Sequence, residues 1–296
     1  MYRHLLVPLD GSKSAEAALP AAVYLARTIR ARLTLLHVLE RSAPEKVHGE
    51  RHLASAAEAQ AYLDELEPGV VGVERHVHTV GVGDVARSLV DHARELGVDL
   101  IVMCTHGRSG PREWVWGSLA QQVLALDATP VLLIRPSAGE ASPEFHCRRL
   151  LVPLDGAPSH EAGLRAAAAL AEACGSDLHL LVVIPTPGSL SGDAAVAGRL
   201  LPGTMSAVLD LAEEGGRQYL RRLMDQVRPG GRGVAGEVRR GEPAAEIAEA
   251  ALAVQADLIV LATHSRAGME AFWSGSVAPR VSGRTRVPLL LVPVRD

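Results

Sequence analysis

Apolar residues fall along this chain in two alternating rhythms. Short, nearly continuous runs at Leu5–Leu9, Leu33–Leu39, Leu100–Met103 and Val131–Ile134 are separated by longer stretches with Ala and Leu at helical spacing. The runs have the length and aliphatic content of strands, and the stretches have the period of helices. The pattern predicts a strand at Leu5–Leu9 and a helix capped by Ser14 that continues through Ala17, Ala18, Ala21, Ala22 and Leu25. After the strand at Leu33–Leu39, residues 40–50 are polar, contain Pro44 and Gly49, and read as a loop. A helix from about Arg51 to Glu67 is closed by Pro68 and Gly69. Val73–Val80 alternates as a strand, and Asp84–Leu96 returns to helical periodicity and stops at Gly97. The strand at Leu100, a loop, a helix from Ser118 to about Leu126 and the strand at Val131–Ile134 complete the unit.

The second half repeats the first. LLVPLDG at Leu5–Gly11 recurs unchanged at Leu150–Gly156, and Ser14 and Glu16 return as Ser159 and Glu161. DLIVMCTHGRSGPREWVWGS at 99–118 returns as DLIVLATHSRAGMEAFWSGS at 257–276, and Thr129–Ile134 is echoed by Arg286–Leu291. The matches keep their order, so the chain is a tandem duplication. The expected division is a first domain at 1–136, a linker at 137–148 and a second domain at 149–296. The second plan reads as a strand at Leu150, a helix from Ser159, a strand at Leu178–Ile184 and a helix at Val208–Val227. A strand at Val234–Arg239, a helix from Pro243, the Asp257 strand, a short helix from Ser276 and a strand at Leu289–Val292 follow. Pro185–Thr204 is longer than its counterpart after Leu39, and reads either as a lid or as a plain surface loop.

Strands that are apolar throughout and alternate with helices imply an α/β fold with a parallel sheet covered on both faces. The expectation is two doubly wound, Rossmann-like domains of five strands each. Ligands in such sheets bind beyond the carboxyl ends of the strands, where strand order reverses. Asp10, Val38 and the loop Cys104–Gly107 all stand at carboxyl ends.

Composition narrows the partners. The net charge is −4 and neither sign forms a long run, which argues against a nucleic-acid or anionic-membrane binder. No apolar stretch approaches the roughly 20 residues a membrane helix needs. The N-terminal MYRHLLVPLDGS meets Asp10 after a short apolar run and does not read as a signal peptide. Three cysteines, Cys104, Cys147 and Cys174, form no CxxC pair. That usage suits a reducing cytoplasm rather than a disulfide framework.

The candidate chemistry gathers at the loop after Met103. A glycine just past a strand, Gly107, lets a ligand approach the backbone. Gly117 and Ser118 open a helix whose first amides lack intrahelical partners and carry partial positive charge, an anion site suited to phosphates. Asp10 can accept hydrogen bonds from ribose hydroxyls. The alternative is that two glycines and a serine make only a turn and a helix cap. Other features are weaker. Gly81–Ala86 fits GxGxxA, but no acidic residue ends the following strand. His76 with His78, and His48 with His52, have metal-compatible spacing without Cys or clustered carboxylates, and read as solvated surface. Cys104 reads as a small buried apolar residue, Trp114, Trp116 and Trp273 as covers of apolar surface, and Arg108 and Arg266 as solvated.

LLVPLDGS, THGRSG, the later Gly-Ser and the proline-led last strand resemble the universal stress protein family, in the arrangement of its two-domain members. The ATP-binding branch carries Gly-x2-Gly-x9-Gly-Ser/Thr after the fourth strand. The match here is Cys104-x2-Gly107-x9-Gly117-Ser118. The resemblance implies that Asp10 holds the ribose, that the Val38 backbone reads the adenine edge, and that Met103 and the Cys104 backbone line the adenosine pocket. Pro8 joins that set, and His106, Gly107, Gly117 and Ser118 hold the phosphates. In the second half the implied set is Asp155, Val183, Ala262, His264, Ser265, Gly275 and Ser276, with both leading glycines replaced. His106 and His264 suit a loop-bracing role equally well.

The resemblance further implies antiparallel pairing of Val131–Ile134 with Leu289–Val292, an internal pseudo-dimer. The expected ligand is ATP, or ADP or AMP, with Mg, in a stress-response protein that is not a dedicated catalyst and at most hydrolyses ATP slowly. A homodimer or an unidentified protein partner is the expected company. The alternative is a nucleotide-free dimerisation or partner-binding module on the same scaffold. An adenylating ligase ranks third, because Asp10-Gly11-Ser12-Lys13-Ser14 replaces the Ser-Gly-Gly-x-Asp-Ser signature of the PP-loop members.

Overall fold

The computed structural model describes residues 2–40, 46–47, 50–51, 53–66, 68–80, 85–105, 118–126, 129–136, 144–186, 202–227, 232–264 and 277–294. The chain divides into two compact units. The first comprises Met1–His146 with His264–Gly275 and Pro288–Arg295, and the second comprises Cys147–Thr263 with Ser276–Val287 and Asp296.

In the first unit, β1 (His4–Pro8), β2 (Arg32–Glu40), β5 (Glu74–Val80), β6 (Leu100–Cys104) and β7 (Val131–Ile134) are parallel and stand in the order β7-β6-β1-β2-β5. Order reverses at β1, which lies between β6 and β2. Leu5, Leu6, Val7, Leu35, Leu36, Ile101 and Val102 have no exposed surface, so both sheet faces are covered and the apolar runs are explained. Helix α2 (Leu19–Ile29) buries Ala21, Ala22, Leu25, Ala26 and Ile29, a stripe whose alanines let the helix approach the sheet closely. Helix α4 (Val85–Glu95) buries Ala86, Leu89, Val90 and Ala93. Helices α3 (Ala56–Glu65) and α5 (Ser118–Leu126) complete the cover.

Three expectations are corrected here. The first helical turn, α1 (Lys13–Glu16), is capped by Ser12 rather than Ser14: its hydroxyl accepts from the Ala15 amide at 3.1 Å. The chain then breaks at Ala17 and Ala18, and Pro20 falls in the first turn of α2, where its missing N–H costs nothing. Helix α3 starts at Ala56 rather than Arg51, because Ser55 caps it by accepting from the Glu58 amide while Glu58 accepts from the Ala54 amide. Ahead of it, within the stretch read as a loop, β3 (Lys46–Val47) pairs antiparallel with β4 (Glu50–Arg51).

The second unit holds β8 (Arg149–Leu154), β9 (Asp177–Ile184), β10 (Val234–Arg240) and β11 (Leu258–His264), parallel and in the order β10-β9-β8-β11. A short 3-10 turn, Pro158–His160, precedes α6 (Glu161–Cys174). Helix α7 (Pro202–Gln226) begins ahead of the expected Val208, so the end of the stretch read as lid or loop is helical, and 187–201 lie outside the described residues. Helices α8 (Pro243–Ala253) and α9 (Val277–Arg284) follow.

The last strand, β12 (Leu289–Val294), belongs to the first unit. It pairs antiparallel with β7 through Leu289 with Leu133, Leu290 with Leu132 and Leu291 with Val131, as the resemblance implied.

One carboxylate explains why both long repeats begin with Asp. Asp99 accepts from the Arg3 and His4 amides at 2.8–3.0 Å, and Asp257 accepts from the Arg148 and Arg149 amides at 2.8 and 2.9 Å. Each pins the start of its repeat's first strand to the start of the fourth. His4 sits in the wall of the first unit, 1% exposed, with Nε2 2.7 Å from Thr34 Oγ1 and Nδ1 3.0 Å from the Leu96 carbonyl.

Candidate functional site

The cleft of the first unit opens where β1, β2 and β6 end. The ladder continues past Pro8, with the Leu9 amide donating to the Leu36 carbonyl at 2.9 Å, and then Asp10 leaves the sheet. Gly11 turns the chain with φ +86°, a conformation L side chains rarely adopt, and a Cβ there would come within 3.1 Å of Leu53. The turn brings Ser12 back onto Asp10. Its amide and hydroxyl both donate to Asp10 Oδ1, at 2.9 and 2.6 Å. Ser12 is 4% exposed, so this clamp is shielded from water. One oxygen of Asp10, Oδ1, is thereby pinned, and Asp10 lines the cleft.

The cleft has a cavity volume of about 80 Å³ and opens to solvent. Of the residues expected from the sequence, Pro8, Asp10, Val38, Met103 and Cys104 all line it. Met103 is buried, and Pro8, Val38 and Cys104 are half-buried. Ser118 opens α5, directing that helix's first amides, and Leu119 of its first turn lines the cleft. His106, Gly107 and Gly117, with Gly81 to Asp84, Arg108 and both first-half tryptophans, lie outside the described residues.

Several lining groups had no signal in the motif. Leu36 comes from β2, Val85 and Leu89 from α4, and Thr105 from just past β6. Ser12, Ser14 and Ala15 supply the rim from α1 and its cap. Ser12 was legible in principle: a serine two residues after an aspartate at a turn is a standing partner for that carboxylate.

Cys104 occupies the first glycine position of the motif without strain. It is the last residue of β6, and its φ is not positive. Its thiol donates to the Ala15 carbonyl at 3.7 Å. Burial, and then the negative charge of Asp10, push this thiol well above the usual range, and it stays protonated beside the cleft. It is a wall group of the cleft.

The second unit builds the same turn differently. Asp155 Oδ1 accepts from the Ala157 amide at 3.0 Å, and Oδ2 accepts from His160 Nδ1 at 2.7 Å. Ala157 stands where Ser12 stands in the first repeat, and His160 where Ala15 stands. Both Asp155 oxygens are therefore engaged. Val183 is half-buried on β9 and pairs with Arg239. Ala262 lies within β11, without positive φ, and α6 rests on it: a Cβ at Gly163 would lie 3.2 Å from the Ala262 nitrogen. His264 ends β11, while Ser265, Gly275 and Ser276, with Arg266 and Trp273, lie outside the described residues.

His78 stacks edge-on to His92 at 4.4 Å, and His76 Nε2 lies 3.7 Å from Glu74. Among the described residues no three His, Cys, Asp or Glu side chains form a metal-holding group. Also among them, no helix is long and apolar enough to cross a membrane.

The profile of the universal stress protein family matches this sequence twice, over residues 1–135 and 146–293. The chain belongs to the universal stress protein family. Universal stress protein YxiE of Bacillus subtilis is 32% identical over 46% of this chain and 100% of its own length. A universal stress protein of Mycolicibacterium smegmatis is 26% identical over 98% of this chain and 97% of its own, so the two-repeat arrangement recurs in one relative. The crystal structure of a universal stress protein from Archaeoglobus fulgidus, 18% identical, covers 98% of each chain with a TM-score of 0.65 and shares the fold. Membership makes this a stress-response protein of the α/β type with two family domains in tandem.

Proposed function

We propose that the first repeat binds an adenine nucleotide, ATP foremost, and that the protein acts as a nucleotide-responsive regulator rather than a dedicated catalyst. The observation that carries this reading is the Asp10 clamp. A carboxylate that lines a cleft at the strand-order switch, with Oδ1 held by Ser12, is suited to accept hydrogen bonds from ribose hydroxyls. The surfaces around it suit the rest of the ligand. Val38, Leu89 and Met103 offer apolar faces for a purine, and the start of α5 offers the partial positive charge of a helix N-terminus, which suits phosphates. His106, Gly107, Gly117 and Ser118 remain the proposed phosphate contacts on sequence spacing alone. When bound with ATP, Mg²⁺ would neutralise phosphate charge. Cytoplasmic residence belongs to the same proposal and is supported by three cysteines held as free thiols.

For the second repeat the nucleotide-free reading is favoured. Its ribose acceptor, Asp155, is already satisfied by His160 and Ala157, and Ser265 replaces the glycine of closest approach. That repeat is proposed as scaffold or partner surface, with Val183, His264, Gly275 and Ser276 retained from the duplication and Ala262 standing in place of Cys104.

Calorimetric titration of nucleotide-stripped full chain with ATP–Mg tests both statements. The expected result is one ATP per chain, lost in Gly117→Asp, which places a negative charge at the proposed phosphate site. No binding of ATP, ADP or AMP by folded protein would overturn the reading and leave the nucleotide-free module.

A further inference from the structure

Outside the cleft, the second unit holds a pair of thiols that the sequence separates widely. Cys147 precedes β8 and has no exposed surface. Cys174 ends α6 and is half-buried. Gly175, at φ +68°, reverses the chain from α6 into β9. The start of the β8–β9 ladder fixes this corner. Arg149 pairs with Asp177, and the Asp177 amide donates to the Arg148 carbonyl at 2.8 Å. Continued backwards, that register sets Cys147 beside the corner that contains Cys174. Ser176 locks it in place: its hydroxyl donates to the Cys147 carbonyl and lies 3.8 Å from the Cys147 sulfur. Cys174 lies two residues before Ser176, so both thiols belong to this one corner.

From this juxtaposition we propose that Cys147 and Cys174, brought to the β8–α6–β9 corner, form a reversible disulfide when the protein meets a small peroxide. The two groups have different roles. Cys147 has no exposed surface, whereas Cys174 is half-buried and within reach of solvent. The more exposed sulfur is the one a peroxide reaches first, so Cys174 takes the role of the attacking cysteine.

The thiolate of Cys174 attacks one peroxide oxygen. An S–O bond forms, the O–O bond breaks, and hydroxide leaves and takes up a proton to become water, giving a sulfenic acid. The Cys147 sulfur then attacks the Cys174 sulfur. The S–S bond forms, the S–O bond breaks, and the departing hydroxide takes the Cys147 proton. Two thiols and one hydrogen peroxide become one disulfide and two waters. A small dithiol reverses the step by exchange. The bond ties the start of β8 to the end of α6, so it restrains the unfolded chain across both elements.

The test uses the full chain, reduced and then treated with hydrogen peroxide. Two of its three thiols should be lost, the mass should fall by two hydrogens, and non-reducing peptide mapping should link Cys147 to Cys174. The oxidised protein should melt about 5 °C higher, and dithiothreitol should restore the original midpoint. Cys174→Ser should lose the cross-link and the shift together; because Cys174 is half-buried, this variant keeps the test intact where Cys147→Ser disturbs the core. Oxidation of Cys174 to sulfinic acid with Cys147 left reduced would overturn the proposal. So would a Cys174 cross-link to a second chain.

Discussion

His160 Nδ1 donates to Asp155 Oδ2 at 2.7 Å, and the matching position in the first repeat holds Ala15, whose methyl group cannot donate to Asp10. The difference of Ala15 against His160 gives Asp155 a side-chain donor that Asp10 lacks at that position. A hydrogen bond to a charged group contributes roughly 1.5–3 kcal/mol net, so a ligand must replace that interaction before gaining anything from Asp155.

His160→Ala copies the first repeat's residue and removes the competitor. Calorimetry with ATP–Mg should then read a second site per chain, or a second-site affinity raised about ten-fold, the equivalent of roughly 1.4 kcal/mol. Unchanged stoichiometry would show that Ser265, and not His160, keeps the second repeat empty.

Glu242 caps α8, accepting from the Ala244 and Ala245 amides at 3.1 and 2.9 Å, with Arg280 at 2.9 Å and Arg284 at 3.6 Å. Burial acts to raise its titration. The two amide hydrogen bonds and the arginine charges together outweigh that, so the carboxyl lies below its usual range. A depressed folded value means that the stabilisation is present above the unfolded value, near pH 4.3, and is lost as pH falls through the folded one. Melting of the wild type and Glu242→Gln should therefore differ most near neutral pH and converge in acid. A gap that persists undiminished at pH 3 would contradict this.

Arg30 closes α2 in the left-handed conformation, φ 55° and ψ 42°, and its amide donates to the Ala26 carbonyl. The second repeat solves the same turn with Gly175, φ 68° and ψ 42°, bonded to Ala171. An L side chain there costs roughly 1–2 kcal/mol, partly offset by glycine's freedom in the unfolded chain. Arg30→Gly should raise stability by about 1 kcal/mol, read as a rise of roughly 2–4 °C in Tm. A lower midpoint would mean that Arg30 makes interactions that outweigh its strain.

The parts legible in the sequence are those in which neighbours in the chain act together. The run Val131–Ile134 is β7 and Ser118–Leu126 is α5, because their periodicity is set locally. Asp10 was legible as well, since a turn after an apolar strand gives it no other business. Cap choice was not: Ser12 and Ser14, two residues apart, are equally good caps, and the geometry forced at Gly11 selects the first. Leu89 and Val85 reach the cleft only because α4 crosses over the sheet, and no spacing records that. His4 reads as an interruption in an apolar strand until Thr34 and Leu96 are seen to satisfy both its nitrogens. Cys147 and Cys174 meet through the ladder register alone, so a search for CxxC passes over them.

The antiparallel addition of β12 to β7 has a consequence for dissection of this protein. Val131, Leu132 and Leu133 are paired through Leu291, Leu290 and Leu289, residues from the far end of the same polypeptide. A fragment ending near residue 136 would present those backbone groups and leucines as an open edge, the kind of surface that recruits another chain. In the intact protein the covering strand is tethered, so its local concentration does not fall when the solution is diluted. Duplication has made this closure a first-order event, as secure in one molecule as in many.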